Sequence, residues 1–209
     1  MRTSSPAALG LLAIASAAAI GYVALSRAIS KRRTVPNDRQ LRRQVQQWRT
    51  PAGDAIATGL GPLGKEWVTL PATAALSRYL ITRDVGARSA LPLVASITAE
   101  ALARAMDHTK PHRHVPPGHP EQHKDSFPSG HANKTTAAAL TSAYVLSREQ
   151  LVDPAPAFAL AALLSLLSPL SRLYLDRHWP ADLIAGWLLG GSIAAGCAAI
   201  YELSEPKAV

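Results

Sequence analysis

Leu183 to Tyr201 reads LIAGWLLGGSIAAGCAAIY, a stretch without a single Lys, Arg, Asp or Glu. A helix of that length advances about 28 Å, close to the thickness of a bilayer's hydrocarbon core, so this segment predicts a membrane span. Working outward, Pro154–Ser171 and Pro6–Ser26 are equally free of charge. Three weaker apolar segments lie between them. Trp67–Ile81 is broken only by Arg78, Ala87–Met106 by Arg88, Glu100 and Arg104, and His131–Val145 by Lys134. Glu100 and Arg104 stand one helical turn apart, so they can neutralise each other inside a bundle. The expected architecture is an all-α, six-helix transmembrane bundle.

With 209 residues and no Gly/Ser- or Pro-rich linker, the chain reads as a single domain over 1–209, its first transmembrane helix in 1–26. The net charge of +8 invites a nucleic-acid reading, but its distribution opposes one. Arg27, Lys31, Arg32, Arg33, Arg39, Arg42, Arg43 and Arg49 crowd directly behind the first apolar run, where a polybasic segment attracts anionic headgroups. The apolar run is longer than the core of a secretory signal, and its basic cluster follows rather than precedes it. Within this basic segment, 27–50, Pro36-Asn37-Asp38 reads as a helix start, and Leu41, Val45 and Trp48 recur at helical spacing. A short helix in the headgroup plane is expected there. Cys197, the one cysteine, lies within an apolar run and reads as a small buried hydrophobe. Gly59 to Lys65 resembles a phosphate-binding loop, but Glu66 stands where a Ser or Thr must reach magnesium and no strand precedes it, so it reads as a turn entering a helix.

Two polar stretches at span edges carry chemistry. The first is Ser126-Phe127-Pro128-Ser129-Gly130-His131; the second is Ser171-Arg172, then His178 and Asp182. Phosphoryl transfer needs an in-line nucleophile, cations and N–H donors around the equatorial oxygens, and an acid for the departing oxygen. His178 at a helix start, with Asp182 one turn on, has the make-up of a nucleophile: the carboxylate would accept Nδ1–H and leave Nε2 to attack phosphorus. Ser129 and Gly130 sit where a loop becomes a helix, so free backbone N–H groups and a hydroxyl would face the phosphate. His131 would protonate the leaving oxygen and later activate water, and Arg172 would fork two phosphate oxygens.

Phe127-Pro128-Ser129-Gly130-His131 and Ser171-Arg172-x5-His178-x3-Asp182 resemble the second and third signature motifs of the type 2 phosphatidic acid phosphatase superfamily, which also contains vanadium haloperoxidases. The resemblance implies a core of roughly 87–201, a helical bundle, phosphatase chemistry without a metal or other cofactor, His178 as nucleophile and His131 as acid. The family's first signature, Lys-x6-Arg-Pro, is incomplete here: Lys110-Pro111 occupies the Arg-Pro position, and Ala103 stands where the Lys belongs. Arg104 and Lys110 are expected to take over the two cationic roles, with Arg113 as an alternative for either. The His-rich loop of His108, His112, His114, His119 and His123 contains a possible metal pair in His112 and His114, but no nearby Cys completes a soft site and the family chemistry needs no metal.

In a six-span arrangement the basic segment shares a side with both complete motifs. That side carries eight Lys and Arg between 27 and 49, against Arg2, Arg83, Arg88, Arg148 and Lys207 opposite, so the positive-inside rule places the site at the cytoplasmic face of a bacterial inner membrane. Many relatives act on the outer face, so charge and resemblance disagree. The expected partners are the membrane and a lipid phosphate: phosphatidate, phosphatidylglycerol phosphate, or a polyprenyl phosphate or diphosphate. Two other readings compete, a non-catalytic lipid-binding protein with a decayed first motif and a vanadate-dependent peroxidase.

Overall fold

The computed structural model describes residues 6–106, 111–117 and 125–204. Among them there are eight α-helices: α1 Pro6–Ser30, α2 Val35–Gln46, α3 Pro51–Leu60, α4 Glu66–Thr82, α5 Leu91–Ala105, α6 Gly130–Arg148, α7 Pro154–Tyr174 and α8 Pro180–Leu203. The only strand-like pairing among these residues is an isolated bridge between His114 and Asp125.

Helices α1, α7 and α8 are long and apolar enough to cross a membrane. They are the three charge-free runs of the sequence. The other three long helices carry polar side chains that point inward. Thr69, Thr73 and Ser77 of α4, Ser96 of α5, and Asn133, Thr135, Thr136 and Thr141 of α6 are all buried. In an apolar surrounding such groups need partners. Thr73 returns its hydroxyl to the Thr69 carbonyl (2.8 Å), Thr135 to that of His131 (2.7 Å), and Asn133 crosses to the Ala99 carbonyl of α5 (2.9 Å).

Helix α6 is the axis of the bundle, packed against α8, α7, α5 and α4, while α1 lies along the outside of α8. Small residues permit the central approach. A Cβ built at Gly186 would stand 2.5 Å from the Ser129 carbonyl oxygen, and one at Gly190 2.5 Å from that of Asn133. The two glycines are four apart and form a notch in α8 into which the backbone of α6 fits, as in close helix pairs within lipid. This contact brings the start of α6 against the start of α8. Polar links complete the bundle: the Trp187 indole donates to the Ser165 carbonyl of α7 (2.8 Å), and Ser192 to the Ala15 carbonyl of α1 (2.9 Å).

The basic segment contains α2. Leu41 on that helix is 46% exposed and Trp48, just beyond its end, 74%, while Asp38, Arg42 and Gln46 turn toward the bundle. The Gly59–Lys65 stretch ends α3 in a 3-10 turn, Gly61–Gly64, that leads into α4.

Candidate active site

Both signature segments meet at the end of the bundle where α6 and α8 begin. The local folding of the second one can be followed bond by bond. Helix α7 closes with the Arg177 N–H on the Arg172 carbonyl (2.8 Å) and the Asp176 N–H on that of Leu173 (3.1 Å). This is a Schellman closure, which requires a left-handed residue, and Asp176 takes it at φ 60°. The chain then turns through His178 and Trp179 into α8, whose second residue's position is filled by Ala181 after Pro180.

The His178 and His131 rings face each other edge to face, with centroids 6.4 Å apart. Nδ1 of His178 lies 2.8 Å from the Ser126 carbonyl oxygen, which only accepts, so Nδ1 donates there and in the neutral ring the lone pair is on Nε2. That differs from the expected pairing with Asp182, whose Oδ2 stands 3.8 Å away. The Asp182 carboxylate has other work: Oδ2 accepts the Trp179 N–H at 2.8 Å, capping α8, and Oδ1 accepts from Arg113 at 2.9 Å. The reason is geometric. At a helix start a carboxylate three residues in reaches the orphan N–H behind it before it can reach a side chain one turn back.

Ser126 is itself held firmly. Its N–H and hydroxyl both donate to the Arg113 carbonyl (2.7 and 3.0 Å), joining the two limbs of the polar loop. Ser129 caps α6 through its hydroxyl oxygen and the Ala132 N–H (3.4 Å), and its own N–H donates to the Asp182 carbonyl (3.0 Å). The Asn133 N–H takes the Ser129 carbonyl, which leaves the N–H groups of Gly130 and His131 as helix-start donors without an intrahelical acceptor. Nε2 of His131 is buried with no hydrogen-bond partner among the described residues.

The opposite wall is the 3-10 turn. A Cβ at Gly64 would collide with the His131 ring, 2.6 Å from Cδ2, and one at Gly61 would stand 3.5 Å from Nη1 of Arg172. The glycines of that turn therefore matter by bringing backbone against the His131 and Arg172 side chains. Two cations stand at this corner: Arg172, against Gly61, and Lys134, whose Cε lies 3.8 Å from a Cβ built at Gly130. Lys134 is buried between Glu66 (2.9 Å) and Glu100 (3.1 Å). Arg104 is not among them. It is 74% exposed with its Nε on Glu100 at 2.6 Å, so the Glu100–Arg104 pair forms as expected but at the surface rather than inside. Lys110 lies outside the described residues, as do His108, His119 and His123. Arg113 meets Asp38 (2.5 Å) and Asp182, not an open site. His112 is paired with Asp125 at 2.8 Å.

Beside the corner where the two His rings meet, a groove of about 510 Å³ runs between α4, α6 and α7, lined by Leu63, Val68, Ala72, Thr135, Ala139, Leu146, Leu160 and Leu164 among others. Leu63 adjoins Gly64, and Thr135 adjoins His131 along α6, so the groove starts at the site.

Residues 90–205 match the PAP2 superfamily. The chain belongs to that superfamily. Among its relatives is an undecaprenyl-diphosphatase of Sulfolobus acidocaldarius, 32% identical over 139 residues, an alignment covering 65% of this chain and 64% of the relative. Another is a decaprenylphosphoryl-5-phosphoribose phosphatase of Mycolicibacterium smegmatis, 35% identical over 123 residues, covering 57% and 62%. The alignments thus span just under two thirds of each relative. The fold matches the crystal structure of a transmembrane PAP2 type phosphatidylglycerolphosphate phosphatase from Bacillus subtilis with a TM-score of 0.84 and 21% identity, covering 93% of this chain and 98% of that one. With α1, α7 and α8 each long and apolar enough to cross a bilayer, this PAP2 chain is an integral membrane protein.

Several residues of this PAP2 site escaped the sequence reading: Asp38, Lys134, Gly64, and the Ser126 carbonyl. For Asp38 a signal existed, since it is the only acid among residues 27–49 in a segment otherwise dense with Arg.

Proposed function

We propose that the chain is a metal-independent lipid-phosphate phosphatase that works through a phosphohistidine on His178, and that its substrates are polyprenyl phosphates or diphosphates. The observation that carries this reading is the His178 ring, with Nδ1 engaged by the Ser126 carbonyl at 2.8 Å and the His131 imidazole facing it. In the first step Nε2 attacks phosphorus, a P–N bond forms, and the P–O bond to the lipid alcohol or to the outgoing lipid phosphate breaks as His131 passes its proton to the leaving oxygen. In the second, His131 takes a proton from water, the water oxygen bonds to phosphorus, and the P–N bond breaks to release inorganic phosphate. Arg172, the Ser129 hydroxyl and the Gly130 N–H are assigned to the equatorial oxygens. The buried Lys134 adds positive charge beside them. Arg104 contributes through Glu100, whose other oxygen binds Lys134.

The names of the two relatives favour a polyprenyl tail over a diacylglycerol one. The apolar groove that begins at His131 suits such a tail. We also place α1 and α4–α8 as six spans, with the site on the cytoplasmic side. In support, the basic segment is bonded to the site, through Asp38 and Arg42, and positive segments stay in the cytoplasm.

Detergent-solubilised protein, assayed with EDTA present, is expected to release phosphate from a polyprenyl diphosphate faster than from phosphatidylglycerol phosphate, and His178→Ala is expected to release none. Lipid binding without turnover by the wild type would overturn the enzyme reading. Turnover that EDTA abolishes would overturn the metal-independent mechanism.

A further inference from the structure

Helix α2 carries Asp38, Arg42 and Gln46 at successive turns of one face, and all three bind the short stretch 173–182 that contains His178. Asp38 is 2% exposed. Its Oδ1 accepts the Ala181 N–H at 2.9 Å, one of the orphan donors at the start of α8, and its Oδ2 accepts from Arg113 at 2.5 Å. Arg113 in turn holds Asp182 at 2.9 Å, so Asp38, Arg113 and Asp182 form a closed set of two carboxylates around one guanidinium. One turn along α2, Arg42 forks both oxygens of Asp176 (2.7 and 2.6 Å), the left-handed residue two before His178, and also reaches the Pro117 carbonyl (3.0 Å). A turn further, Gln46 donates to the Tyr174 carbonyl at the end of α7 (3.1 Å). The Trp179 ring lies under both guanidiniums, 5.1 Å from that of Arg113 and 5.8 Å from that of Arg42.

A loop that presents a nucleophile must keep its attacking atom in line with phosphorus, and small displacements there cost rate steeply. Leu173, Leu175, Ala181 and Leu183 bury the two ends of the His178 turn in the core. The polar bonds from α2 join both flanks from more than a hundred residues away in the chain. We infer that α2 is a clamp on the nucleophile turn and that Asp38 is a positioning residue for His178, acting through the start of α8 and through Arg113. The inference rests on the phosphatase reading for its kinetic arm only.

The test is Asp38→Asn, which keeps the acceptor for Ala181 but removes the charge facing Arg113. Gln40→Ala, on the exposed face of the same helix, is the control. In the folded variant kcat should fall by at least about tenfold with KM within about twofold of wild type, whereas the control stays at the wild-type rate. In [15N]histidine-labelled protein in detergent, the Nδ1–H resonance of His178, identified by its absence in His178→Gln, should broaden or vanish in Asp38→Asn. An unchanged kcat together with an unchanged resonance overturns the inference, as does a raised KM at intact kcat, which would make α2 a substrate-binding helix instead. If Asp38→Asn does not fold, Arg42→Lys, which keeps the charge but loses the fork on Asp176, is read by the same two measurements. A wild type that releases no phosphate would sink the proposed function, while the resonance still decides whether the clamp exists.

Discussion

Asp182 shows how one residue's role depends on what reaches it first. Its spacing from His178 suits an imidazole partner, yet its two oxygens are taken by the Trp179 N–H and by Arg113, and the Ser126 carbonyl orients the ring. The two variants should therefore separate. His178→Ala is expected to lose turnover but keep its melting temperature in detergent, whereas Asp182→Ala should lose both, because it uncaps α8 and leaves the buried Arg113 half-paired, a cost of about 3 kcal/mol. Equal melting temperatures would show that the carboxylate does not hold the loop. The cations divide in the same way. Arg104 is exposed and spent on Glu100, so Arg104→Ala should lower kcat/KM by no more than about threefold, and the buried Lys134→Met by at least about tenfold, or about 1.4 kcal/mol of transition-state stabilisation. A reversed order in steady-state assays would return the phosphate site to the incomplete first signature.

At the level of elements, the site depends on α6 and α8 lying close enough for Ser129 to bond the Asp182 carbonyl at 3.0 Å. Gly186 sets that distance. A methyl group there would meet the Ser129 carbonyl oxygen at 2.5 Å, whereas one at Gly191, on the same helix, meets nothing within 4 Å. Gly186→Ala should thus reduce turnover at least about tenfold and lower the melting temperature, because the backbones must part, and Gly191→Ala should do neither. Comparable activity in the two variants would mean that the notch is not needed. The groove between α4, α6 and α7 can be tested by filling it. Ala139→Trp should raise KM for a polyprenyl diphosphate while leaving hydrolysis of p-nitrophenyl phosphate, which has no tail, at the wild-type rate; an equal loss on both substrates would locate the damage in the site rather than the groove.

For the whole molecule, the question is orientation. The basic segment is bonded to the His178 turn, so a probe on α2 reports the side of the proposed site. With Cys197 replaced by Ala, Arg39→Cys should react with a membrane-impermeant maleimide only after cells are permeabilised; labelling of intact cells would put the site on the outer face. The apolar runs, the two signature segments and the ends of α7 and α8 were legible because each is a local pattern: hydropathy over consecutive residues, or side chains a turn or two apart on one helix. His178 and His131 could be named on that basis, and so could the crowd of Arg behind α1. Which groups hold them could not. Asp38 reaches Ala181 across 143 positions and Arg113 reaches Asp182 across 69, and nothing in the spacing of either pair distinguishes it from a chance one. The pattern of Leu41, Val45 and Trp48 is silent on the other face of α2, because apolar periodicity reports which side avoids water, whereas this helix is fastened to the bundle by charges whose partners are placed only once α7 and α8 have packed. Sequence alone determined the long apolar helices and singled out the two imidazoles; tertiary structure decided the carbonyl, the polar links from α2 and the glycine notch around them, since those are contacts between segments whose separation in the chain carries no periodic signal.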